Sequence, residues 1–89
     1  MGIVIDAKKV LQELYTLISE ESFTLYVKIS MKVMAQRLQT TTKHLNLCIH
    51  YLIESGYLKG DFIYNHDENA IKEVALTPLA INKIENATL

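Results

Sequence analysis

The spacing of hydrophobic residues along this chain switches between helical and strand periods, and each switch marks an element. Ala7, Val10, Leu11, Leu14, Leu17 and Ile18 recur every three or four positions, which predicts an amphipathic helix from Ala7 to about Ser19. Lys8, Lys9, Gln12, Glu13 and Thr16 form its polar face, and Asp6 stands where an N-cap carboxylate can accept from the free amides of the first turn. Ile3-Val4-Ile5 precedes it as a short apolar arm. Phe23, Leu25, Val27 and Ile29 then alternate with Thr24, Tyr26 and Lys28, the period-two pattern of a half-buried strand. Ser30 can cap a second helix over residues 31–38, with Val33, Met34, Ala35 and Leu38 facing inward. Thr40-Thr41-Thr42 resists helix continuation, because β-branched residues lose rotamer freedom there and threonine competes for backbone bonds. It therefore predicts a turn and a cap for a third helix over residues 42–54, stopped by Ser55-Gly56. Residues 57–64 and 70–77 read as the strands of a β-hairpin joined by the polar cluster at 65–69. Thr77-Pro78 opens a last helix, with Leu79, Ala80, Ile81 and Ile84 on its apolar side and an end near Asn86.

Composition narrows the class. Eighty-nine residues suit one domain over 1–89, with a core over about 6–86. An apolar fraction of 49% with 21% charged residues fits a globular chain and excludes a disordered one. One cysteine cannot form an intrachain disulfide, which fits a reducing, cytoplasmic setting. No apolar run reaches the length of a membrane span, and the pattern of a signal peptide is missing, so no membrane partner is expected. Met1-Gly2-Ile3-Val4-Ile5-Asp6 lacks the Ser or Thr that an acylation signal carries at its sixth position.

Charge changes the picture more. The net charge is −1 and the pI near 6.3, so the chain is not a general polycation. Yet no acidic residue falls between Glu21 and Glu54, a stretch that holds Lys28, Lys32, Arg37, Lys43, His44 and His50. A helix pair cleared of carboxylates within an acidic protein is what a phosphate-facing surface requires.

The run from Ile29 to Leu58 resembles the winged helix-turn-helix core of small bacterial and phage transcription regulators. It carries the Ala-x-x-Leu ending of the second helix in Ala35 and Leu38, and the spaced anchors of the third in Leu45, Ile49 and Leu52. Gly56-Tyr57-Leu58 closes it as in that family, and Val74-Ala-Leu-Thr-Pro-Leu-Ala-Ile81 looks like the last wing strand running into a terminal helix. The resemblance implies an α+β winged helix: a three-helix core, a small antiparallel sheet with a β-hairpin wing, and a C-terminal helix. It also implies a transcription regulator that binds double-stranded DNA, using residues 42–54 as its recognition helix.

On a helical wheel the third helix places Thr41, Leu45, Cys48, Ile49 and Leu52 inward. Lys43, Asn46, Leu47, His50 and Glu54 lie opposite, with His44 and Tyr51 on the flank. Lys43 and Asn46 suit guanine and adenine edges, and Leu47 could touch a thymine methyl or a protein partner. Lys28, Lys32, Arg37, Thr41 and Thr42 suit phosphate oxygens, and His50 completes the face. The reading helix has no arginine, and the wing tip carries Asp67 and Glu68 where such domains place Arg or Lys, so wing insertion is not expected. A single recognition helix covers few base pairs, which predicts a homodimer. Its contact would use the arm Ile3, Val4 and Ile5 with Leu79 and Ile84 of the last helix.

No catalytic residues are expected: the chain has no glycine-rich phosphate loop, no paired-carboxylate arrangement and no Ser-His-Asp spacing. His44 and Cys48 stand four apart on a helix, but two further ligands for a structural zinc are missing, so neither metal nor other cofactor is expected. The five tyrosines read as core or interface residues. The second functional class compatible with this pattern is an adaptor that docks a protein through Leu47 and Tyr51 without binding DNA.

Overall fold

A computed structural model describes residues 2–60 and 69–87. The chain is α+β, with elements in the order α1 (Ile3–Glu21), β1 (Tyr26–Ser30), α2 (Met31–Arg37), α3 (Thr42–Glu54), β2 (Leu58–Gly60), β3 (Ile71–Leu76) and α4 (Pro78–Ala87). The strands form one antiparallel sheet in the order β1-β3-β2. Tyr26 pairs with Ala75 and Ser30 with Ile71, while Leu58 pairs with Leu76 and Gly60 with Val74.

The core lies where α1 crosses α3 and where the sheet closes against both. Leu14, Leu45, Ile49, Leu58, Leu76 and Met31 are its largest fully buried side chains. Three hydroxyl caps set the helix starts as expected. Ser30 Oγ accepts from Val33 N, Thr41 Oγ1 from His44 N at 3.1 Å, and Thr77 Oγ1 from Ala80 N at 3.2 Å. Thr77 Oγ1 also donates to Gly56 O at 2.7 Å, tying the end of α3 to the start of α4. Gly56 itself stands at φ +81°, a backbone conformation that glycine adopts without strain.

Several details differ from the sequence expectations. The apolar arm is helix: α1 starts at Ile3, with Gly2 in the N-cap position. Asp6 is therefore inside the first turn, its carboxylate turned to His44 across the domain rather than to its own backbone. Nothing in Ile3-Val4-Ile5 breaks a helix, and the added turn lies against α3, where Cys48 Sγ sits 3.9 Å from Ile3 O. The first strand starts at Tyr26, not Phe23. Ser22 and Thr24 hydroxyls bond the local backbone and hold residues 23–25 in a bend, leaving Phe23 fully exposed and Leu25 exposed. On α2, Met31 is buried and Val33 is exposed, because the short helix turns its Met31, Met34 and Ala35 side inward. Thr41 is exposed rather than packed, since the N-cap role keeps it at the turn. Tyr26 and Tyr51 are exposed as well, while Tyr15 and Tyr57 pack partly on the core. The expected strand residues 61–64 and the acidic tip, Asp67 and Glu68, lie outside the described residues.

The outer edge of the sheet at β1 is blunted by side chains. Leu25 O accepts from Leu76 N, so by antiparallel alternation Tyr26 and Lys28 turn their backbone groups outward. Tyr26 O accepts from Ser22 Oγ at 2.7 Å and Tyr26 N donates to Thr24 Oγ1 at 3.1 Å. The outward groups next to the strand start are thereby occupied, and a lysine follows them, which discourages strand addition at this edge.

Candidate nucleic-acid interface

Helix α3 buries Leu45, Cys48, Ile49 and Leu52 and turns the other side outward. Lys43 and Leu47 are exposed there, and Asn46 and His50 are partly buried. Thr41 and Thr42 stand at the helix start, where the Thr41 oxygen accepts the His44 amide and its O–H remains a donor. A helix N-terminus carries the positive end of the helix dipole, which is favourable for an anion.

Carboxylates from outside the acid-free stretch fold onto several of its cations. Arg37 Nη2 meets Glu13 Oε1 at 2.6 Å, an oxygen shielded from water that has no other partner among the described residues. His44 Nε2 meets Asp6 Oδ2 at 2.7 Å. His50 Nε2 meets Glu54 Oε1 one turn along α3 at 3.2 Å. Lys28 lies directly opposite Glu73 in the β1–β3 register. Lys32 and Lys43 remain exposed, with no ion pair among the described residues. The expected positive stripe is thus interrupted at Arg37 and bounded by an acidic neighbour at Lys28.

A cation that the sequence reading did not single out joins this face. Lys72 on β3 is 6% exposed, and its Nζ donates to Asn46 Oδ1 on α3. Burial pushes its ammonium below the usual 10.5. The signal was present in the strand alternation, since Lys72 shares a face with the buried Val74 and Leu76. A lysine on a core-facing position stays there only if its head group finds a polar partner.

Around this face lie apolar surfaces. Leu47 is 45% exposed and Tyr51 39%, and Val33 is exposed on α2. Between α1, α3 and α4 a groove of about 280 Å³ is lined by Val4, Leu11, Tyr51, Tyr57, Lys8 and Lys83. Cys48 is sealed in the core, and burial followed by the nearby Asp6 pushes its thiol up, so it stays protonated at neutral pH. Among the described residues no group of His, Cys, Asp or Glu could hold a metal ion. No described helix is long and apolar enough to cross a membrane. No protein-family model matches this chain, and no curated protein or solved structure matches it.

Proposed function

We propose that the chain is a winged helix-turn-helix domain that binds double-stranded DNA through α3 and regulates transcription as a homodimer. The observation that carries this reading is the outward face of α3. It presents Lys43, Asn46, Leu47 and His50 without a carboxylate before Glu54, and the buried Lys72 ammonium donates to Asn46 from the sheet behind it. Lys32 and the Thr41 hydroxyl supply donors for phosphate oxygens beside it. Arg37 contributes less than its charge suggests, because Glu13 already neutralises it. Two copies would place their α3 helices on half-sites about 34 Å apart. The exposed Ile3, Val4, Ile5 and Leu79 support pairing through the chain's ends, with the partly buried Ile84 behind them.

The test is fluorescence anisotropy of a labelled random-sequence duplex titrated with the protein at about 50 and 200 mM salt, the range over which phosphate contacts lose affinity steeply. Binding that weakens with salt, and weakens further in Lys32→Ala, supports the reading. Binding in neither condition removes it.

A second reading rests on a separate observation. Arg37 and His44 are already paired, and Leu47, Tyr51 and Val33 are exposed, a combination that suits a protein partner over a polyanion. An adaptor of this kind would keep its affinity at high salt and lose it on Leu47→Asp.

A further inference from the structure

Asparagine on a recognition helix is ordinarily associated with adenine, because its amide offers one acceptor to N6–H and one donor to N7 together. That pairing needs both amide atoms. Here Lys72 holds one of them: Nζ donates to Asn46 Oδ1. The direction is set by chemistry, since an ammonium has hydrogens to give and no lone pair to receive. The amide must therefore turn its oxygen toward the sheet and its NH2 away. Among the described residues Asn46 Nδ2 has no partner and is not sealed from water.

From this geometry we infer that Lys72 is a positioning residue that makes Asn46 a donor-only reader, so that α3 selects guanine over adenine at the base pair Asn46 meets. The inference rests on the DNA-binding reading above and adds the base that this face prefers. Guanine presents two acceptors, O6 and N7, in the major groove, and the two N–H groups of one amide can serve both. Adenine presents N7 beside the N6 amino group, which opposes a second donor. The Lys72 ammonium behind the amide adds positive potential, which also favours the guanine edge. Its anchorage is firm: Lys72 pairs across the sheet with Ile29 and sits beside Val74, both buried.

The experiment is selection from a randomised duplex library by wild type, Asn46→Ala and Lys72→Met, followed by affinity measurements on the selected sites with single base changes. Wild type is expected to select guanine at one position, where changing it to adenine weakens binding roughly fivefold, about one neutral hydrogen bond. Asn46→Ala is expected to erase that preference and leave the other positions intact. Lys72→Met releases Oδ1, so the preference at the same position should move to adenine, a change that loss of fold stability would not produce. Selection of adenine by wild type at the Asn46-dependent position overturns the inference alone, as does an unchanged preference in Lys72→Met or no Asn46-dependent position in wild type. Failure of wild type to bind any duplex overturns it together with the DNA reading. Should Lys72→Met unfold, Asn46→Gln decides instead: a longer amide reaches past Lys72 and should gain adenine, and unaltered guanine selection contradicts the inference.

Discussion

Leu45 and Leu47 are two residues apart on α3, and the structure assigns them opposite roles. Leu45 is fully buried between α1, α2 and α3, so Leu45→Ala should cost about 2–5 kcal/mol through lost transfer energy and the remaining cavity. Leu47 is exposed, and its truncation should stay within about 0.5 kcal/mol. Urea unfolding of both variants checks the pair, and similar costs would mean that α3 is rotated from the orientation described. Cys48 offers a pH test. Its folded pKa is raised above the usual 9.0, so folding favours the protonated thiol. That contribution is complete below 9.0 and is lost as the pH rises through the higher folded value. Wild type should therefore lose more stability than Cys48→Ala between pH 7 and an alkaline pH above 9.0. Equal losses would contradict the burial of the thiol.

The elements are joined by hydroxyls, and these make the next predictions. Thr77→Val removes both the α4 cap and the bond to Gly56 O, and should destabilise by about 1–2 kcal/mol in thermal or urea unfolding. A change below a few tenths would show that α4 is held by packing alone. Gln39 stands in the turn between α2 and α3 at φ +56°, where a side chain is strained. Gln39→Gly should thus be neutral or stabilising by up to about 1 kcal/mol despite the added chain entropy of glycine. At this scale the sequence was most informative. Ser30, Thr41 and Thr77 marked their helix starts, and α3 ran from Thr42 to Glu54 as its periodicity indicated. Both signals are local, a cap within three residues and a period within one helix. The start of β1 was misplaced because Phe23 and Leu25 alternate like strand residues, while the Ser22 and Thr24 hydroxyls, whose bonding is not readable from period, bend the chain. The arm at Ile3 was misplaced for a related reason. Asp6 is a good cap in isolation, but its partner is His44, far along the chain.

Across the whole molecule, the pairing of distant charges decides how much of the acid-free stretch is available to a polyanion. The stretch itself was visible in the sequence, but Glu13, Asp6 and Glu73 reach its cations only through the packing of α1 and β3. Lys72 was hidden for the same reason, since its contact with Asn46 spans 26 positions. This arrangement ranks the cations. Lys43→Ala on the reading face should cost about 1–3 kcal/mol on a selected site and little on random DNA, whereas Lys32→Ala should reduce the salt slope of DNA binding by about one unit, the release of one phosphate contact. Arg37→Ala should reduce it by less and instead lower stability, because it leaves the shielded Glu13 oxygen without its countercharge. If Arg37→Ala shifts the slope as much as Lys32→Ala, the Arg37–Glu13 pair opens on binding. Homodimer formation through the chain ends predicts a sedimentation coefficient that rises with concentration in the micromolar range and falls back for Val4→Asp; a monomer throughout would remove the dimer.

The measurement that bears most directly on the α3 face is the affinity of wild type for a duplex as a function of salt. The account predicts measurable binding at low ionic strength, with log affinity falling linearly in log salt at a slope of a few units, as expected for a small set of phosphate contacts from Lys28, Lys32 and the α3 terminus. No binding at low salt, or binding indifferent to salt, would contradict it and leave Leu47 and Tyr51 as the surface to be explained.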